Sequence, residues 1–190
     1  RSQNSKVLQN VAAALANLAL DKDTRPRIVE EGAVRPLVQL CSRSQDNKVL
    51  GYAAGALSNL ACHEGSRSEI VDLGALRPLV QLCISSSDNT VLANVAGALS
   101  NLARHADNRP QIVQEGAIEP LISLCSSSKD IAVLANGSEA LANLSIHKAS
   151  RPLLVAGGAV DPLVELLSNS QDLTVLGNTA EALANLSQHE

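Results

Sequence analysis

In NKVLGYAAGALSNLA, residues 47–61, the apolar positions Val49, Leu50, Ala54, Leu57, Leu60 and Ala61 are spaced as one face of an α-helix. The pattern returns as NTVLANVAGALSNLA at 89–103, IAVLANGSEALANLS at 131–145 and LTVLGNTAEALANLS at 173–187, each displaced by 42 residues. Asp46, Asp88, Asp130 and Asp172 precede these segments, where a short carboxylate side chain takes up the free N–H groups of a helix start. A second column block reads EGAVRPLVQL, LGALRPLVQL, EGAIEPLISL and GGAVDPLVEL. It predicts a shorter helix with Pro36, Pro78, Pro120 and Pro162 in its first turn, where no intrahelical N–H bond is lost. Gly32, Gly74, Gly116 and Gly158 stand just before it, so a first short helix ends there in a tight turn. Thr24, Ser66, Asn108 and Ser150 are the expected N-caps of that first helix. No stretch alternates with the period of a strand.

The expected fold is therefore all-α: three-helix units of 42 residues, about 24–62, 66–104, 108–146 and 150–188, preceded by a lone third helix near 5–20. Residues 1–190 form one solenoid, because each unit buries its apolar face only against its neighbours. Neither end carries a polar capping unit. The expectation is a piece of a longer array, or self-association through uncapped ends.

Composition restricts how the units pack and what they bind. The chain is 45% hydrophobic with one Tyr and no Phe, Trp or Met, so its core is Leu, Val, Ile and Ala. A net charge of -4 without a basic stripe argues against nucleic acid as a partner. The charge is polar along the chain: residues 1–95 hold ten Lys/Arg against nine Asp/Glu, and residues 96–190 five against ten. No signal-peptide core or membrane-length apolar run is present. Cys41, Cys83 and Cys125 share one column with Leu167, which marks a small apolar slot and not a metal or redox site. Free thiols favour a reducing compartment: cytoplasm, nucleus, or a membrane surface reached through parts outside this chain.

NRPQIVQEGAIEPLISL followed by VLANVAGALSNLA resembles the armadillo repeat, and the likeness covers almost the whole chain. It implies a right-handed superhelical solenoid whose third helices line a concave groove, where a recurring Asn hydrogen-bonds the backbone of an extended peptide. Asn17, Asn59, Asn101, Asn143 and Asn185 match that ladder. Armadillo proteins of the importin-alpha group typically carry Trp four residues earlier. Here that position holds Ala13, Gly55, Gly97, Glu139 and Glu181, and the wording is closer to catenins, plakophilins and organelle-tethered adaptors.

The Asn columns also call for a physical account. Asn inside a helix costs about 0.7 kcal/mol relative to Ala, yet it occurs five times at one phase. Seven residues earlier stand Asn10, Tyr52, Asn94, Asn136 and Asn178, so two columns hold nine of the fourteen Asn. A primary amide pairs with both groups of a passing peptide backbone without reading its side chains. The other reading is that these amides bridge neighbouring repeats and fix their register. Around the columns, Lys6 and Lys48 come early and Glu139 and Glu181 late, matching a ligand acidic or phosphorylated at one end and basic at the other.

Other recurrences point away from chemistry. His63, His105, His147 and His189 follow the ladder Asn by four residues, but equivalent positions on stacked helices lie about 8 to 10 Å apart, too far to share one ion. They are expected to meet the carbonyls at the helix C-terminus. Arg25, Arg67, Arg109 and Arg151 are expected to hydrogen-bond between units. No GxSxG, HExxH or phosphate-binding glycine loop occurs, so no catalytic residue, cofactor or metal is assigned. The expected activity is binding of a protein or extended peptide, the alternative being a scaffold acting through its ends or convex face.

Overall fold

The computed structural model describes residues 2–188, with side chains from residue 5, as a stack of thirteen α-helices. The lone first helix is α1 (Ser2–Leu18). The units follow as α2 (Arg25–Glu30), α3 (Val34–Arg43) and α4 (Asn47–Ala61); α5 (Arg67–Asp72), α6 (Leu76–Ser85) and α7 (Asn89–Ala103); α8 (Asn108–Gln114), α9 (Ile118–Ser127) and α10 (Ile131–Ser145); α11 (Arg151–Ala156), α12 (Val160–Asn169) and α13 (Leu173–Leu186). Short 3-10 turns at Glu64–Ser66 and Lys148–Ser150 lead into α5 and α11.

Local chemistry sets the joints. Asp46 approaches α4 with extended backbone (φ -98°, ψ 114°), and its carboxylate accepts from the N–H of Lys48 and Val49. Asp88 and Asp172 do the same for α7 and α13, and Asp130 caps α10 through the N–H of Val133 alone. Gly32, Gly74, Gly116 and Gly158 have φ between 79° and 83°, a region costly for a residue with a Cβ. That left-handed residue turns each first helix into the second.

The expected caps of the first helices are corrected. Thr24, Ser66 and Ser150 sit at the helix start but make no side-chain cap bond, and Asn108 lies inside α8 after Asp107. The reason is conformational: the chain enters these helices already in helical φ/ψ, so the side chain cannot reach the N2 or N3 N–H. Ser66 and Ser150 pair instead with Nδ1 of His63 and His147 at 2.8 and 2.9 Å. Asn108 donates to the Leu102 carbonyl, and the buried Nδ1 of His105 has no partner.

The third helices α1, α4, α7, α10 and α13 pack side by side in chain order, and α4, α7, α10 and α13 are each backed by the second helix of their unit. One continuous core runs through the stack, with Leu57, Leu60, Leu99, Leu102, Leu141 and Leu144 buried between layers. Cys41, Cys83 and Cys125 are free and buried in it, and burial pushes each thiol up to about 12. Cys62 is free and exposed.

Candidate functional site

The arginine column closes each joint between units. Nε of Arg25, Arg67, Arg109 and Arg151 donates to the carbonyl of Ala19, Ala61, Ala103 and Ser145, at 2.8 to 2.9 Å. These carbonyls end the preceding third helix, where the helix dipole favours a cation. Arginine therefore fills the C-terminal role expected of histidine, whose ring turns to the following serine in two units; His189 lies outside the described residues. Partial burial lowers the pKa of Arg109 by desolvation.

The asparagine columns lie along the row of third helices and reach back by one unit. Nδ2 of Asn59, Asn101 and Asn143 donates to the carbonyl of Ala16, Ser58 and Ser100, at 3.0 to 3.2 Å. Nδ2 of Asn94, Asn136 and Asn178 donates to Gly51, Ala93 and Ala135, at 2.8 to 2.9 Å. Asn185 differs, donating to the Ser145 hydroxyl at 3.1 Å. Each bond spans two third helices, so the amides do fix the register of neighbouring repeats.

That role uses one hydrogen of Asn59, Asn94, Asn136, Asn178 and Asn185, whereas Nδ2 of Asn101 and Asn143 also meets a serine hydroxyl of the preceding helix. A primary amide has a second N–H and a carbonyl oxygen with two lone pairs, and within the described residues no donor reaches Oδ1 of any column Asn. All seven of these side chains are half-buried, so each keeps a solvent-facing edge. Asn10 and Asn17 lie on the first helix of the described residues, within which they are exposed and make no hydrogen bond. Gly55 and Gly97 keep room for the second column, because a Cβ on either would stand 3.1 Å from Nδ2 of Asn94 or Asn136.

Tyr52 interrupts the second column and cannot donate as an amide does. It is exposed beside Lys48 at a cavity of about 330 Å³ between α4 and α7, also lined by Asn47, Gly51, Asp88, Thr90 and Asn94. Lys6 and Lys48 are exposed at this end. At the other end, Glu139 accepts from Arg104 at 3.1 Å and is half-buried, whereas Glu181 is exposed with no ion pair within the described residues. The acidic end is thus carried mainly by Glu181.

Sequence reasoning missed two groups of neighbours. Ser58, Ser100 and Ser145 place hydroxyls beside the ladder amides, at 3.1 to 3.4 Å. The signal was the Ser directly before Asn59 and Asn101. Arg104, which offsets Glu139, stands in a column with Cys62 and Ile146 and gave no repeating sign. Within the described residues, no cluster of His, Cys, Asp and Glu could hold a metal ion, and no helix is long and apolar enough to cross a membrane.

A family model described as Armadillo/beta-catenin-like repeat matches residues 21–62, 63–104, 105–146 and 149–188. An engineered protein of known crystal structure is 33% identical with a TM-score of 0.89, over 96% of this chain and 75% of its own. Computationally designed armadillo repeat proteins for modular peptide recognition are similar at 26% identity and TM-score 0.89, over 100% of this chain and 80% of theirs. A designed armadillo repeat protein in complex with peptide (KR)4 is similar at 25% identity and TM-score 0.88, over the same shares. No curated protein matches the chain. With four successive matches spanning most of its length, on a helical stack that superposes on designed armadillo arrays, the chain belongs to the Armadillo/beta-catenin-like repeat family.

Proposed function

We propose that this chain is a protein-interaction module that holds an extended peptide along its third helices, clamping the peptide backbone with the asparagine columns. The observation that carries this is the half-used amide. Each internal Asn is fixed through Nδ2 to the preceding helix and keeps an Oδ1 that no donor reaches within the described residues, and Asn59, Asn94, Asn136, Asn178 and Asn185 keep a second N–H as well. Fixing a rotamer in advance lowers the entropy lost on binding, so stacking and clamping support one another. Peptide recognition by designed relatives of the same fold agrees with this reading. An extended peptide rises about 3.3 Å per residue against a repeat spacing of about 8 to 10 Å, so two to three ligand residues meet each unit. Lys6, Lys48 and Tyr52 at one end and Glu181 at the other favour a ligand that is acidic early and basic late along this row.

A second reading has its own support. Val7, Leu8, Val11 and Leu18 at the first helix, and Val160, Val164 and Leu167 at the last unit, are exposed members of columns that are largely buried elsewhere. A scaffold stacking through its ends would cover them. The two readings separate in a titration of Asn59→Ala/Asn101→Ala against a peptide selected by display, below the melting range of both proteins. The clamp predicts a loss of about five- to 150-fold, from about 0.5 to 1.5 kcal/mol per amide. Unchanged affinity would leave the scaffold reading.

A further inference from the structure

The second helices carry a charge pattern that the groove does not use. Arg35, Arg77, Glu119 and Asp161 occupy one column in the first turns of α3, α6, α9 and α12. All four are exposed, and none is in an ion pair within the described residues. Stacked units are about 8 to 10 Å apart, so the column is a continuous ridge, positive over two repeats and negative over two. The same helices carry Gln39, Gln81, Ser123 and Glu165 one turn later, and Arg43, Ser85, Ser127 and Asn169 at their ends.

We infer that this ridge is a docking surface for a second copy of the chain, in an antiparallel dimer with its two-fold axis parallel to the second helices and centred between α6 and α9. Rotation about that axis reverses the order of repeats and keeps each column at its own height. Arg35 then faces the copy's Asp161, Arg77 its Glu119, and the two remaining pairs follow by symmetry. An isologous contact needs this self-complementarity. The next columns agree: Gln39 meets Glu165, Gln81 meets Ser123 and Arg43 meets Asn169. No like charges coincide in these columns. A parallel arrangement would instead set Arg on Arg and acid on acid.

Nearby charges confine the contact to this ridge. Asp72 shares a shallow hollow with Arg35 and Gln39 without an ion pair to Arg35; Glu30 and Glu69 lie on the first helices, and Glu31 follows the end of α2. A dimer spread over the first helices would lose the complementarity. Under the groove reading the ladder face is concave and cannot close on a copy of itself, whereas the second-helix face is the outward one. Two outward faces touch best at their centre, so the Arg77–Glu119 pairs contribute most. Arg77 there borders a groove of about 480 Å³ between α3 and α6, walled partly by Val38 and Leu82. Exposed ion pairs are weak and screened, so the dimer is weak and dissolves in salt. Both ladder faces stay open, which makes the dimer bivalent for a partner carrying two peptide segments.

Sedimentation equilibrium of the whole chain tests this at about 20 mM and about 500 mM salt, where the screening lengths differ several-fold. The expected result is mass rising toward a dimer with concentration at low salt, and monomer at high salt. Arg35→Glu/Arg77→Glu makes the column uniformly acidic and Glu119→Arg/Asp161→Arg makes it uniformly basic. Each alone should dimerise at least tenfold more weakly, and their equimolar mixture should form a heterodimer tighter than the wild-type dimer. Circular dichroism checks that both fold, and the all-acidic variant alone suffices, since Glu suits the first turn of a helix. Wild type that stays monomeric at low salt overturns the proposal. So does association that persists at high salt or survives in the all-acidic variant, as stacking through apolar ends would give.

Discussion

The inner and outer third helices carry the same columns in different surroundings. Leu60, Leu102 and Leu144 are fully buried, while Leu18, in the same column of α1, is 54% exposed. Val49, Val91, Val133 and Val175 are buried, and Val7 is 59% exposed. Asn101 holds the Ser58 carbonyl; Asn17 holds nothing within the described residues. Residue type and helix position are identical in each set, so what differs is the surroundings: among the described residues α1 has neither a preceding unit nor a second helix of its own. In a stack of this kind a side chain is core or surface according to its neighbour along the array, and stability is a sum of local and interface terms.

The largest test of that contrast is Leu102→Ala against Leu18→Ala. Truncating the buried leucine removes apolar contact and leaves a cavity, so urea denaturation followed by circular dichroism should show a loss of about 2 to 5 kcal/mol. The same change at Leu18 should cost no more than about 1 kcal/mol. Equal losses would mean that α1 is covered in solution by something not seen here, most simply another copy.

Asparagine gives a smaller difference. Asn101→Ala should destabilise by about 0.5 to 1.5 kcal/mol through the lost inter-repeat bond. Asn17→Ala should leave stability unchanged or raise it by up to about 0.7 kcal/mol, because Ala suits a helix better. Thermal melts of the two variants decide this.

The smallest effect is electrostatic and lies at the joint of α1 and α4. Ser5 and Gln9 donate to Oδ2 of Asp46 at 2.6 and 2.8 Å, and these bonds, with the backbone N–H groups of Val49 and Lys48, hold its pKa below the usual carboxylate value. A lowered folded pKa contributes stability that is present above the unfolded value of about 3.9 and is lost as pH falls through the folded one. Acid titration of the melting temperature should therefore show a shallower decline below about pH 4 for Asp46→Asn, which keeps the cap acceptor and removes the charge. An identical decline would place the acid sensitivity elsewhere.

What the sequence disclosed follows the same division between local and neighbour-dependent chemistry. The 42-residue period, the Asp caps and the glycine turns were legible because each depends on a few adjacent residues, and each recurs in the structure. The caps at Thr24, Ser66, Asn108 and Ser150 were misread because capping needs extended backbone, which the residue type alone does not report. The bonds from the Asn columns run to carbonyls 43 residues earlier in six of seven cases, so the columns announced a shared role without naming its partner. Glu139 and Glu181 looked equivalent until Arg104 proved to sit against only one of them.

The clamp itself is tested most directly by measuring stability and peptide affinity on the same two variants. A display-selected peptide long enough to span α1 to α10 is titrated into wild type, Asn17→Ala and Asn101→Ala below their melting range. If the outward half of each amide holds the ligand, both variants lose about two- to twelvefold in affinity, while only Asn101→Ala loses stability. Wild-type affinity in Asn17→Ala, with weaker binding confined to the destabilised Asn101→Ala, would contradict the account and leave the columns as devices for stacking repeats.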